Sequence, residues 1–234
     1  MDSNFTSTQR KNVPPFKLGW LMKPKASDVQ VQIADFEHAK FAQEICVQME
    51  ASAKERGTGI ARRNVEYIAS KLSSGMAVIA TNKHTGHWAG FCYIETWGDE
   101  KHVSNSGLII VPRYRGLGLA NKIKKMAFQL SRKKFPNAAL FGLTTSEAVM
   151  NVNSKLGYKP VIFSSLTNDE RFWEGCKTCK NYKVLKSQNF KNCFCTAMQW
   201  HPESRKSPIK KLTEKLKKLK TTLPEESKEK GGTK

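Results

Sequence analysis

The chain of 234 residues predicts a mixed α/β fold, an antiparallel meander flanked by helices. Three observations predict it. Segments of alternating and of helical spacing follow one another in the order β-α-α-β-β-β-α-β-α-β across residues 29–166. Two middle strands, 76–81 and 87–97, are separated only by the turn former NKHTG (82–86), a hairpin signal. The next strand runs straight into RYRGLGLA (113–120), a glycine turn that opens an amphipathic stretch.

Residues 1–24, with Pro14, Pro15 and Pro24, have little periodicity and read as an arm. VQVQI (29–33) alternates as a strand does, and Asp35 is placed to cap the next helix. Phe36, Ala39, Phe41, Ala42, Ile45, Met49 and Ala53 then recur at helical spacing until RGTG (56–59) stops them. A second helix over 61–73 gathers Val65, Ile68, Ala69 and Leu72 on one face. MAVIAT (76–81), HWAGFCYIETW (87–97) and HVSNSGLIIVP (102–112) form the meander. From Leu119 to Phe135, a stripe of Ile123, Met126, Ala127, Leu130 and Phe135 marks an amphipathic helix. AALFGLTT (138–145) is a short buried strand, SEAVMNVNSKLGY (146–158) a helix with a Ser cap and a Leu-Gly stop, and VIFSSL (161–166) a last strand. Residues 167–204 hold a cysteine cluster and little regular pattern. A lysine-rich stretch (207–224) carries Ile209, Leu212, Leu216 and Leu219 on one stripe, and the last ten residues are expected to be disordered. The organisation expected is thus an arm (1–24), a domain (25–166), an extension packed on it (167–204) and a basic helical or disordered tail (205–234).

No run approaches the roughly 20 apolar residues of a membrane span. MDSNFTSTQRKNVPPF lacks a secretory signal's apolar stretch, so a cytoplasmic protein without membrane contact is expected. Of the formal net charge of +20, residues 205–234 supply +7, from 11 Lys/Arg against 4 Asp/Glu, leaving +13 in the body. That excess suits an anionic small ligand, nucleic acid or simple solubility equally.

RYRGLGLA admits two readings. Gly116 and Gly118 permit a tight turn whose amides point inward, and the helix from Leu119 directs its free N–H groups to the same point, an arrangement that attracts phosphate oxygens. Arg113 and Arg115 add charge at the rim. A plain strand-to-helix connection would look the same. Read as Arg113-x-x-Gly116-x-Gly118-Leu119-Ala120, the stretch resembles the acyl-CoA pyrophosphate motif of the GNAT superfamily of N-acetyltransferases. It is not the dinucleotide G-x-G-x-x-G, whose third glycine is missing. LIIVP (108–112) looks like that family's fourth strand, and SKLGYKP (154–160) like the end of its last motif.

The resemblance implies a GNAT fold, its mostly antiparallel sheet splayed between strands 4 and 5, and direct acyl transfer from acetyl-CoA to an amine. It places the pantetheine arm along Leu108, Ile109, Ile110 and Val111. It places the pyrophosphate on the amides of Arg115, Gly116, Leu117, Gly118, Leu119 and Ala120, with Arg113 nearby. The chemistry needs a base for the acceptor ammonium, an oxyanion donor and an acid for the thiolate. By position in the family, His102 is the first candidate base and Glu95 the second. Asn153 stands where the family often has a tyrosine acid, a departure that leaves protonation of the thiolate to water or another group. The acceptor is implied at KERGTGIARR (54–63), where Arg56, Arg62 and Arg63 are suited to carboxylates and Thr58 to a hydrogen bond.

RGTGIA, FCYIETW, NSGLI, FGLTTSEAVM and GC-x-x-C-x-NY are also similar to a bacterial subgroup tied to arginine biosynthesis and described as N-acetylglutamate synthases. That implies L-glutamate as acceptor, with acetyl-CoA or succinyl-CoA as donor. Acylation of protein or other small amines is the alternative, and a non-enzymatic nucleic-acid binder a third. The third lacks aromatics interleaved with the basic tail, so nucleic acid is not an expected partner. A homodimer is left open. Lastly, Cys176-x-x-Cys179 and Cys193-x-Cys195 are spaced either for a structural zinc with four thiolates or as four reduced, partly buried thiols. Cys46 and Cys92 fall in apolar patterns and read as core.

Overall fold

A computed structural model of the chain describes residues 23–205. The expected arm, up to residue 22, and the tail, from 206, lie outside the described residues. Contacts divide the chain after Trp200 into two units, of which the second has only the turn Pro202–Arg205 described.

The first unit is a seven-stranded sheet with helices on both faces. Its strands are β1 (Val29–Ile33), β2 (Ala77–Asn82), β3 (Trp88–Trp97), β4 (His102–Ile110), β5 (Ala139–Thr144), β6 (Lys159–Val161) and β7 (Thr196–Trp200). Their spatial order is β1-β2-β3-β4-β5-β7-β6, and every pair is antiparallel except β4 with β5. The helices are α1 (Ala42–Glu55), α2 (Val65–Ser73), α3 (Leu119–Lys134), α4 (Glu147–Lys155), α5 (Glu170–Glu174) and α6 (Tyr182–Ser187).

Alternation along β2 sends side chains to both layers. Val78 and Ala80 join the α3 side with Leu119, Ile123, Ala127 and Leu130. Ala77 and Ile79 join the α1–α2 side with Ile45, Met49, Ile68 and Leu72. Burial of each such Ile or Leu stabilises the fold by about 1.5–3 kcal/mol. Both layers are needed because a strand apolar on two faces must be covered on two faces.

Several boundaries differ from the sequence reading, each for a local reason. The first helix begins with a 3-10 turn, Phe36–Phe41, that Asp35 caps by accepting from the Glu37 amide. The second helix starts at Val65 rather than 61, where Asn64 Oδ1 accepts from the Tyr67 amide at 3.1 Å. Ser146 precedes α4, but its side chain makes no capping bond. In place of a strand over 161–166, only Lys159–Val161 is extended, and Phe163–Ser165 is a 3-10 turn. That turn buries Phe163 and Leu166, three residues apart, against Phe141 and Leu185, a spacing alternation cannot serve. Residues 167–204 carry more structure than expected, namely α5, α6 and β7, the last inserted between β5 and β6.

Candidate active site

β4 and β5 pair over only three positions, His102 with Ala139, Val103 with Leu140 and Ser104 with Phe141, and then part. The cause is local. Gly107, at φ +66°, bulges β4 so that two of its residues oppose Cys92 of β3. A Cβ on Gly107 would lie 2.9 Å from the Tyr93 ring, so the position needs glycine for conformation and for space.

A cavity of about 660 Å³ occupies the parting. Its walls are β4 from Ser104 to Leu108, β5 from Phe141 to Thr144, the α1–α2 loop, and residues of the cysteine-bearing stretch. Beyond it β4 leads to Pro112 and the glycine turn. Gly116 (φ +81°) and Gly118 (φ +72°) adopt the left-handed conformation, and nothing lies within 4 Å of where either Cβ would be. No side chain caps the start of α3, so its amides face an open pocket of backbone, a geometry fit for phosphate. Arg113 lies over the Tyr114 ring. Arg115 turns toward α1, donating to Ser52 Oγ at 3.2 Å and lying 3.8 Å from Glu55, so its charge sits at the α1 side of the cradle.

At the opposite end, Arg56, Thr58, Arg62 and Arg63 all line the cavity. Arg62 is exposed, with Glu50 3.9 Å away. Arg63 is held: its Nε donates to the Tyr93 hydroxyl at 2.6 Å and its Nη1 to the Ala61 carbonyl at 3.0 Å. The loop is tied to the later chain, since the Arg62 amide donates to Thr178 Oγ1 at 2.9 Å and Lys180 donates to the Gly57 carbonyl.

Of the candidate chemical groups, Glu95 and Asn153 line the cavity. Glu95 is paired with Lys71 at 2.9 Å, both largely buried. Burial, then Tyr93 and Glu95, push the neighbouring Tyr67 hydroxyl far above its ordinary range, so it stays a neutral donor. Asn153 is 1 % exposed; its Nδ2 donates to Met198 Sδ at 3.7 Å, while its Oδ1 is buried with no partner among the described residues. His102 lies at the paired end of β4, edge-on to Phe141, and is not in the cavity wall.

Among the lining residues that the sequence does not single out, one bears a charge in the interior. Lys124 of α3 is 1 % exposed and donates to the Asn105 carbonyl at 3.3 Å. Its position was discoverable: it falls on the buried stripe, directly after Ile123 and three before Ala127.

Of the two readings of the cysteine cluster, the structural zinc finds no support in the structure. Among the described residues no group of three or more His, Cys, Asp or Glu is placed to hold a metal ion. The thiols pack instead: Cys176, Cys193 and Cys195 join the apolar cluster around Phe141 and Leu185, and Cys179 abuts Gly59. Burial, with neighbouring thiols adding to it, raises Cys176 to about 11 and Cys195 to about 12, so both are neutral near pH 7.

No family model and no curated protein matches the sequence. Solved structures do. N-acetylglutamate synthase from Neisseria gonorrhoeae, complexed with coenzyme A and N-acetyl-glutamate, matches at TM-score 0.53 and 17 % identity, over 74 % of this chain and 35 % of that one. The chain thus spans about a third of that synthase's length. A Mycobacterium tuberculosis protein in complex with CoA matches at TM-score 0.53 and 14 % identity, over 74 % of this chain and 98 % of its own. A GNAT-family acetyltransferase from Staphylococcus aureus Mu50 matches at 0.54 and 11 %, over 74 % and 99 %. At such identities these likenesses speak to architecture, and the chain has the fold of the GNAT acetyltransferases.

Proposed function

We propose that the protein is an acetyl-CoA-dependent N-acyltransferase acting on the amine of a small acidic amino acid, L-glutamate foremost, by direct transfer in a ternary complex. The observation that carries this reading is the parting of β4 and β5, which opens a cavity between an uncapped glycine cradle and an arginine-lined mouth. The amides of 115–120 would hold the pyrophosphate, and the edge of β4 over Leu108–Val111, no longer paired with β5, would take the pantetheine amides as a neighbouring strand would.

At the mouth, Arg56 and the exposed Arg62, which would exchange its long contact with Glu50, are within the wall to meet carboxylates, Thr58 adds a hydroxyl, and Arg63 gives fixed positive charge. A dicarboxylic amino acid satisfies such a set; a lysine-rich peptide would be repelled by it. Glu95 is the group in the wall able to accept the proton of the acceptor ammonium, its carboxylate oriented by Lys71 and Tyr67. His102, behind Phe141, is less well placed for that step. The amine lone pair then attacks the thioester carbon, and collapse of the tetrahedral adduct releases the thiol. Such an activity belongs to amino-acid biosynthesis, arginine's in particular, in the cytoplasm.

Incubating the full chain with acetyl-CoA and single amino acids, while following free thiol, tests the reading. Glutamate is expected to release thiol, and Glu95→Gln to slow it by about a hundredfold. CoA binding with no thiol release for any amine would overturn the transferase reading; release with a different amine alone would overturn glutamate.

A further inference from the structure

Lys124 is an almost wholly buried lysine in the wall of the cavity. Its stem lies on the buried stripe of α3, and its ammonium reaches the carbonyl of Asn105, the first β4 residue after pairing with β5 ends. The titratable and polar groups around it come from three elements. Cys92 faces it from β3 and is neutral, its thiol raised by burial. Tyr158, after α4, places its ring 5.5 Å from Nζ and spends its hydroxyl on Asn105 Oδ1 at 3.0 Å. Asn105 spends its own Nδ2 on Ser131 Oγ at 2.9 Å. No carboxylate pairs with Lys124 among the described residues. A buried ammonium with three donors and one carbonyl partner is costly to keep, and it lines the same cavity as Asn153, whose Oδ1 has no partner among the described residues.

We propose that Lys124 serves the leaving group of the acyl transfer: its ammonium stabilises the thiolate of CoA as the C–S bond breaks and gives that sulfur its proton. The inference rests on the acyl-CoA reading above and assigns to Lys124 the task that Asn153, an amide, cannot perform. Glu95 or water takes one proton from the acceptor ammonium. The amine lone pair forms the C–N bond while the carbonyl π pair moves to oxygen. On collapse that pair re-forms C=O and the C–S pair leaves on sulfur. Sulfur takes a proton from Nζ, and the second proton lost by nitrogen goes to solvent, from which the lysine is recharged. Burial also lowers the Lys124 pKa toward that of a thiol, which favours transfer between the two.

The test titrates CoA bound to the full chain, following the ultraviolet absorbance of the thiolate, in wild type, Lys124→Met and Lys124→Gln. No acceptor is needed, so failure here and failure of the glutamate reading are distinguishable. In wild type the bound thiol should ionise at least about one pH unit below free CoA, as beside a fixed cation. In both variants it should ionise at or above the free value. CoA affinity should change by less than about threefold, and acyl transfer should fall on the order of a hundredfold. A bound thiol that titrates identically in all three proteins overturns the proposal. So does a variant that remains folded yet loses CoA, since Lys124 would then anchor the cofactor rather than its sulfur. A wild type that does not bind CoA overturns both this role and the acyl-CoA reading.

Discussion

Lys124 shows how a single side chain can be placed against the stability of its own fold. In α3 its neighbours on the stripe are Ile123 and Ala127, and a leucine or methionine at 124 would fill the same space without desolvating a charge. Methionine matches the length of the lysine stem, so Lys124→Met should raise the melting temperature near pH 7, by roughly 2–4 °C for each kcal/mol in a chain of this size. The pH dependence has a fixed sign. Burial lowers the folded-state pKa, so between it and the unfolded value of about 10.4 the unfolded chain binds the extra proton, and the stability of wild type climbs with pH. The advantage of Lys124→Met should therefore shrink as pH rises into the lysine range. Thermal melts of the two proteins from neutral to alkaline pH check it; a constant or growing difference would contradict the assignment. Arg63 illustrates the opposite arrangement at the other end of the cavity, where its Nε is matched to the Tyr93 hydroxyl and its charge is kept in a fixed place.

At the scale of elements, the short helix α5 fixes how the stretch after β6 meets the meander. Asp169 caps α5 by accepting from the Arg171 amide at 3.1 Å. The same carboxylate accepts from the Gly98 amide in the β3–β4 turn at 3.1 Å and from the Arg171 guanidinium. Those bonds, Arg171 first and then the Gly98 amide, hold its pKa well below the ordinary 3.8. Its contribution is thus complete above the ordinary aspartate range and is lost as pH falls through that range and below it. Asp169→Ala should lose about 1 kcal/mol at neutral pH, the usual worth of an N-cap, and should lessen the loss of stability expected as pH falls through the aspartate range. Denaturant melts at pH 7 and in acid measure both. Much of this level was legible in the sequence: the hairpin at 82–86, the strand–glycine–helix passage at 113–120 and the Leu-Gly stop at 157 are local signals set by backbone chemistry. The start of α2 at Val65 was not, because residues 59–64 are drawn out of a helix by the cavity they line and by Thr178, over a hundred residues later.

For the whole molecule, the question is where the cooperative unit ends. Read along the chain, the alternation of elements is complete at residue 166, and everything after it resembles an attachment. In space the sheet is incomplete there. β7 lies between β5 and β6, and TAMQW is too short, and too isolated among cysteines and loop residues, to announce an inner strand. Its register gives β5 a partner from Leu140↔Trp200 to Thr144↔Thr196, and gives β6, at the end of the strand order among the described residues, a partner from Lys159↔Gln199 to Val161↔Ala197. Ala197, Met198 and Trp200 are each at most 3 % exposed, and Trp200 packs edge-on to Phe128 of α3. Without 196–200, β5 would border the cavity on one side and water on the other, with its backbone donors and acceptors unpaired in both directions beyond Phe141. Removal also strips the apolar cover from Phe141, Phe163 and Leu166 that α6 and the cysteines provide. A chain ending at residue 166 should therefore fail to fold, showing no cooperative melt and no CoA-dependent stabilisation, whereas the full chain should melt cooperatively. Circular dichroism melts of the two chains decide this, and a cooperative transition for the shorter one would mean that the sheet closes without its inner strand.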